Sequence, residues 1–309
     1  MRIDRVLEEP IPRQSLLEHP TLKSLTILRF ANATNYSLTD DEYDAIGSLA
    51  TKVEPILDLE AIVTAFSDAL RESFVDFGQD HLTLVRAFVS SLATKPLVIL
   101  TGLSGSGKTQ LAIRFGEWLG GSRLHVAAVR PDWTGAEALF GYEDALKLVA
   151  EGKPAWNVPA TLAFLLRAAA DPRYPYVIIL DEMNLAHVER YFADVLSGME
   201  SEKPVLPNLI KEEDGYWRQR EDADEKIRFP QNVFVIGTVN IDETTYMFSP
   251  KVLDRANTFE FRVKTSDLAF THRKPVACSE GQTGLIRGFL EIATNRDWHM
   301  EPVTLRQPS

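Results

Sequence analysis

Three short stretches carry residue types whose spacing could do chemistry together. The first runs Gly102-Leu-Ser-Gly-Ser-Gly-Lys-Thr109 and fills the pattern G-x-x-x-x-G-K-[ST]. Glycines let a backbone wrap closely around an anion. The loop N–H groups and the positive end of the following helix would then cradle phosphate oxygens. Gly102, Ser104, Gly105, Ser106, Gly107, Lys108, Thr109 and Gln110 form the expected phosphate-binding set. Lys108 would reach the β- and γ-phosphates of a nucleoside triphosphate, and the Thr109 hydroxyl would sit on Mg²⁺. The second stretch is Asp181-Glu182, two acids that end an apolar run. Asp181 would hold Mg²⁺, directly or through water, and Glu182 would orient and polarise an attacking water. The third is Asn240, an amide that ends another apolar run. It would hydrogen-bond the attacking water or the γ-phosphate; a plain strand-end turn is the competing reading.

Each group needs an element to position it. Leu97-Val-Ile-Leu100 reads as a buried parallel strand, and the run from Gln110 to Leu119 as the helix that follows the loop. Leu124 to Val129 reads as a second buried strand, with His125 as a packed residue. Tyr176 to Leu180 and Asn232 to Asn240 are two more strands. Carboxylates at the end of a parallel strand emerge at the sheet edge where ligands bind in open α/β folds. Helices are expected at Thr161 to Ala170, Glu189 to Glu200 and Gly284 to Ile292. A further short helix spans Ser249 to Arg255, with Pro250 in its first position. Thr258 to Arg262 resembles one more strand. Upstream, Asp58 to Phe77 carries an amphipathic stripe of Ile62, Val63, Phe66, Leu70 and Phe74, and Leu82 to Leu92 repeats the pattern. Thr39 and Glu42 have the spacing of a capping box opening a helix to about Leu49. The charge-dense segment from Glu200 to Arg228 reads either as a solvated hairpin or loop, or as a projection that touches a substrate or a neighbouring subunit.

Composition narrows the class. The 309 residues are 45% apolar and 25% charged, as in ordinary globular proteins. No run approaches the roughly 18 apolar residues that span a bilayer. The charged start, MRIDRVLEEPIPRQ, does not read as a signal peptide. The single cysteine, Cys278, allows no intrachain disulfide and fits a reducing, cytoplasmic setting. A net charge of −11 argues against a chain-wide nucleic-acid footprint, while leaving room for a local contact.

The order of these motifs resembles the AAA+ ATPases. Within them it is similar to the dynein-related and MoxR-like branch, and most of all to the McrB-type motor subunit of 5-methylcytosine-specific restriction systems. Four stretches carry the resemblance: ILTGLSGSGKTQLA, VRPDWTGAEALFGY, ILDEMNLAHVERYFADVLSGME and VIGTVNIDETTYMFSPKVLDRANTFEF. The last three are far more specific than the phosphate loop. The resemblance covers about residues 82 to 262. It implies an α/β P-loop NTPase core, a parallel sheet with helices on both faces, over residues 81–262. Residues 1–80 would be a helical N-terminal region, and 263–309 a short, divergent or cut-off helical lid. Arg287 and Arg296 are the second-sensor candidates by location.

By position, the resemblance makes Lys108, Thr109, Asp181 and Glu182 the nucleotide, Mg²⁺ and hydrolytic set, and Asn240 the first sensor. Arg255 falls where this class places an arginine finger acting on a neighbour's nucleotide, its guanidinium neutralising charge on the γ-phosphate. An intrasubunit salt bridge with Asp254 or Glu260 is the competing reading. Gly141 to Trp156 takes the place of this branch's extra hairpin. The resemblance further implies a homo-oligomeric ring, usually hexameric, and a separate McrC-like nuclease subunit. DNA would be met through the pore or the partner. The substrate would be ATP, on class frequency, or GTP. A MoxR-like protein-remodelling chaperone and a nucleotide-dependent assembly scaffold are the rival functions.

Overall fold

The computed structural model describes residues 16–17, 20–25, 39, 41–42, 46, 54–148, 154–201, 203–220, 223–241, 246–261 and 274–295. The chain divides into two compact units, Met1–Glu54 and Pro55–Ser309. In the first, Leu22–Ser24 form one 3₁₀ turn, with Leu22 and Leu25 buried. Thr39 and Glu42 make the reciprocal bonds of a capping box: the Thr39 N–H donates to Glu42 Oε2 at 2.9 Å, and the Glu42 N–H donates to Thr39 Oγ1 at 3.3 Å. The rest of the helix expected there lies outside the described residues.

The second unit opens with helices α1 (Leu59–Glu72) and α2 (His81–Thr94). Asp58 caps α1 by accepting from the Ala61 N–H at 3.0 Å. Strand β1 (Leu97–Gly102) leads through the phosphate loop into α3 (Lys108–Gly120). Then follow β2 (Leu124–Ala128), α4 (Glu137–Phe140), the hairpin β3 (Tyr142–Leu148) and β4 (Pro154–Asn157), α5 (Ala160–Ala170) and β5 (Tyr176–Asp181). Helices α6 (Val188–Tyr191) and α7 (Ala193–Ser201) precede four short strands: β6 (Pro204–Pro207), β7 (Leu209–Lys211), β8 (Trp217–Gln219) and β9 (Lys226–Arg228). The described chain closes with β10 (Val233–Asn240), α8 (Pro250–Leu253), β11 (Asn257–Phe261) and α9 (Thr283–Thr294).

Five strands form one parallel sheet in the order β11-β1-β10-β5-β2. The central three are buried almost throughout, because helices cover both faces. Alternation along β10 shows this directly. Phe234 meets Phe289 of α9 on one face, ring centroids 5.0 Å apart. Gly237 lies against Met183 on the other. The first face is an aromatic cluster in which Phe115 of α3 contacts Phe66 of α1, Phe88 of α2, Phe289 of α9 and its own neighbour Trp118.

One expectation is corrected here. The amphipathic stripe was expected to run through Phe74, but α1 ends at Glu72, and Phe74 is 41% exposed with a left-handed φ of 63°. Ser73 stops the helix by turning its hydroxyl back onto the Leu70 carbonyl at 2.7 Å. The segment from Glu200 to Arg228 forms antiparallel hairpin pairs, one of the readings open for it. It pairs β6 with β9 and β7 with β8, and β8 joins the β3–β4 hairpin at Trp156↔Trp217. The two excursions thus share a four-stranded sheet, β3-β4-β8-β7. His125 is packed as expected: its Nε2 pairs with Thr161 Oγ1 at 3.0 Å, and burial lowers its pKa.

Phe115 holds four helices at one point. Replacing it with Ala removes those ring contacts and leaves a cavity. Phe115→Ala should lower unfolding free energy by about 3–5 kcal/mol, measured by urea melts followed by circular dichroism.

Candidate nucleotide-binding site

The site lies at the carboxyl edge of the parallel sheet, where β1, β10 and β5 end side by side. Register sets this: Gly102 pairs with Asn240, and Gly237 with Leu180, so Thr238 comes opposite Asp181. The phosphate loop leaves β1 at Gly102, where a Cβ would come within 2.8 Å of the Phe261 carbonyl oxygen on β11. At Gly107, φ is +94° and a Cβ would come within 2.9 Å of the Phe77 ring. Only glycine fits both places without displacement.

Lys108 opens α3 and is 4% exposed. Its ammonium donates to the carbonyls of Gly102 at 2.9 Å and Leu103 at 2.6 Å, and to Ser106 Oγ at 3.3 Å. A buried ammonium held across the mouth of a loop is a positive charge already in place for a phosphate. Thr109, next on the helix, donates its hydroxyl hydrogen to Asp181 Oδ1 at 3.0 Å. The Asn240 amide donates to Glu182 Oε1 at 3.4 Å. The expected residues Lys108, Thr109, Asp181, Glu182 and Asn240 are therefore brought together on one edge.

The oxygen donors fit Mg²⁺. Among the described residues no group of three or more His, Cys, Asp or Glu could cage a metal. One carboxylate with one hydroxyl is instead the donor set of Mg²⁺ that takes its remaining ligands from water and phosphates. The Thr109 hydrogen is committed to Asp181, so the lone pairs of Thr109 Oγ1 stay available to a cation.

Arg255 stands apart from this edge, past the end of α8. Its guanidinium bonds Glu200, at 3.1 Å through Nε, and the Lys251 carbonyl at 2.8 Å. Glu200 sits on α7, and the Arg255 hydrogen bond holds its carboxyl below the ordinary range. The intrasubunit pair thus uses Glu200 as its acid. Arg287 lies on α9; Arg296 is outside the described residues.

No family model matches the chain. It is similar to the Type IV methyl-directed restriction enzyme EcoKMcrB subunit of Escherichia coli (strain K12), 26% identical over 179 residues. That match covers 56% of this chain and 35% of the subunit, so the chain spans about a third of that relative's length. Among solved structures, a closed-state cryo-EM reconstruction of Hsp104 with ATPγS and FITC casein overlaps with a TM-score of 0.39 at 18% identity, over 65% of this chain and 36% of the other. The S. cerevisiae Hsp104–ADP complex gives 0.36 at 19% identity, with the same coverage.

Two further residues of this site were not singled out in the sequence. Thr238 is 2% exposed; it donates to Asp181 Oδ1 at 2.7 Å and accepts from the Glu182 N–H at 3.0 Å. Its signal was a polar residue two positions before Asn240, on the same strand face. Phe77 covers the loop at Gly107 and packs edge-on against Phe261, 5.6 Å between centroids. Its ring stacks on His81, and its N–H donates to His81 Nδ1 at 3.2 Å. Burial lowers the His81 pKa against an opposing pull from Asp76.

Gly107→Ala tests whether this loop binds phosphate. The variant should fold, as judged by far-ultraviolet circular dichroism. Forcing a side chain into φ +94° against Phe77 costs about 1–2 kcal/mol or more, so nucleotide affinity should fall by about tenfold or more in a fluorescence titration.

Proposed function

We propose that this chain is a Mg²⁺-dependent nucleoside triphosphatase, with ATP favoured over GTP, acting as the oligomeric motor subunit of a McrB-like DNA restriction or defence system. The observation that carries the reading is the edge constellation. A phosphate loop with a buried lysine faces an Asp-Glu pair, and the neighbouring strand supplies an amide to the second acid. Lys108 and the loop N–H groups bind the β- and γ-phosphates. Thr109 and Asp181 hold Mg²⁺, which when bound neutralises phosphate charge. Glu182 orients a water for in-line attack on the γ-phosphorus and accepts its proton as the bond to the bridging oxygen breaks. Asn240 keeps the Glu182 carboxylate turned toward that water.

Arg255 serves the neighbouring subunit's nucleotide in an oligomeric ring, hexameric in this reading. The relationship to the McrB subunit supports a DNA-directed machine with a separate McrC-like nuclease subunit. The net charge of −11 supports DNA contact through the pore or that partner rather than over the whole surface.

Phosphate release from ATP and GTP, followed against protein concentration with Mg²⁺ present, tests the reading. Specific activity should rise with concentration. Glu182→Gln should keep nucleotide binding and lose at least about 100-fold in turnover, the scale of general-base catalysis. Arg255→Ala should bind nucleotide yet fail to hydrolyse it, and mixing it with Lys108→Ala should restore part of the activity. Wild-type turnover in Glu182→Gln would remove the hydrolytic assignment.

A further inference from the structure

The hydroxyl of Thr238 occupies a position the two acids cannot supply for themselves. It has one hydrogen, and its neighbours decide where that hydrogen goes. The Glu182 N–H can only donate, at 3.0 Å, so Thr238 Oγ1 accepts from it. That leaves its hydrogen for the Asp181 carboxyl, and Thr238 donates to Oδ1 at 2.7 Å. The same oxygen receives the Thr109 hydrogen at 3.0 Å. Two hydroxyls therefore fix one oxygen of the carboxylate and set the plane of the other.

Glu182 also needs support of its own. Its backbone is left-handed, φ 53° and ψ 48°, immediately after β5. Side chains rarely adopt that conformation, and it persists only where surrounding contacts hold it. The Thr238 bond to the Glu182 N–H is one such contact. Asn240, two residues on and on the same strand face, holds the Glu182 side chain. Strand β10 thus grips Glu182 twice, at backbone and at carboxylate, and grips Asp181 once.

We infer that Thr238 is a positioning residue that couples the Mg²⁺-holding acid to the water-activating acid through a single buried hydroxyl. The inference rests on the reading of this edge as a hydrolytic site. Removing the hydroxyl leaves the shape of the strand almost unchanged, but leaves Asp181 Oδ1 with the Thr109 bond and without the Thr238 bond, and leaves the Glu182 N–H without that partner.

The test compares the full chain with Thr238→Val, Thr238→Ala and Thr238→Ser. The first readout is the Mg²⁺ midpoint for binding a fluorescent, non-hydrolysable ATP analogue. The second is the kcat and KM split for phosphate release, and thermal melts check folding. Partners behind a metal ligand typically contribute 10- to 100-fold, so Thr238→Val should raise the Mg²⁺ midpoint about tenfold or more and lower kcat by a similar factor. KM for nucleotide should stay within about threefold, and Thr238→Ser should recover both losses. If Thr238→Val does not fold, Thr238→Ala against Thr238→Ser makes the same comparison. A wild-type Mg²⁺ midpoint in the folded hydroxyl-free variants, or equal losses in Thr238→Ser, would overturn the role of Thr238. A wild-type chain that binds nucleotide without turnover would defeat the hydrolase reading instead, while the Mg²⁺ midpoint still decides Thr238.

Discussion

The site depends on one carboxylate oxygen. Asp181 Oδ1 receives hydroxyl hydrogens from Thr109 on α3 and Thr238 on β10. For both to arrive, three separate elements must end at the same height. The sheet order β11-β1-β10-β5-β2 does this by placing β10 between the strand that launches the phosphate loop and the strand that carries the acids. Parallel pairing then aligns Gly102 with Asn240 and brings Thr238 opposite Asp181. A slip of one residue in β10 would turn Thr238 and Asn240 to the opposite face, away from the acids. The apolar content of β10 resists that slip, because Phe234 and Ile236 are already committed to the packed face.

Chain direction adds a second constraint. After Asp181 the chain must leave the sheet at once, or Glu182 would continue the strand and point away from its predecessor. The left-handed turn at Glu182 solves this and lets the two acids work on one side. Such a turn in a residue with a Cβ costs on the order of 1 kcal/mol. The cost is offset locally. Met183, fully buried, sits against Gly237, where no side chain obstructs it. The Tyr191 hydroxyl donates to the Met183 carbonyl at 2.8 Å, and its burial pushes its pKa up, so it remains a donor. The placement of the two acids and the core packing are thus one arrangement on this side of the sheet.

Much of this was legible in the residues alone. Buried parallel strands announce themselves as unbroken apolar runs, and the phosphate loop has a pattern long enough to resist chance. Pro250 as a first helical residue was legible too, since helix-start signals are local. What stayed hidden was relational. Thr238 looks like any β-branched strand residue until register places it beside Asp181. Phe77 looked like the tail of an amphipathic helix, and only the stop at Glu72 frees it to cover Gly107. The pairing of Trp156 with Trp217 joins segments 61 residues apart, beyond the reach of periodicity. Glu200 escaped as the partner of Arg255 for a similar reason, because the nearer acids Asp254 and Glu260 drew attention first.

If Arg255 serves a neighbouring subunit as proposed, its pair with Glu200 bears on how such a site could avoid misfiring. A free guanidinium beside a neighbour's triphosphate would bind it whether or not the ring were correctly closed. An ion pair with an exposed acid gives the arginine a defined resting position without trapping it, since the Glu200 side chain is 59% exposed and surface pairs contribute little to stability. A triphosphate carries more charge than one carboxylate, and it meets the arginine in a drier interface, where electrostatic attraction is stronger. The exchange from Glu200 to phosphate would therefore run downhill only when the interface has closed enough to exclude water. Under the proposed role the acid on α7 would make the arginine conditional on assembly, and a weak resting pair would suit that role.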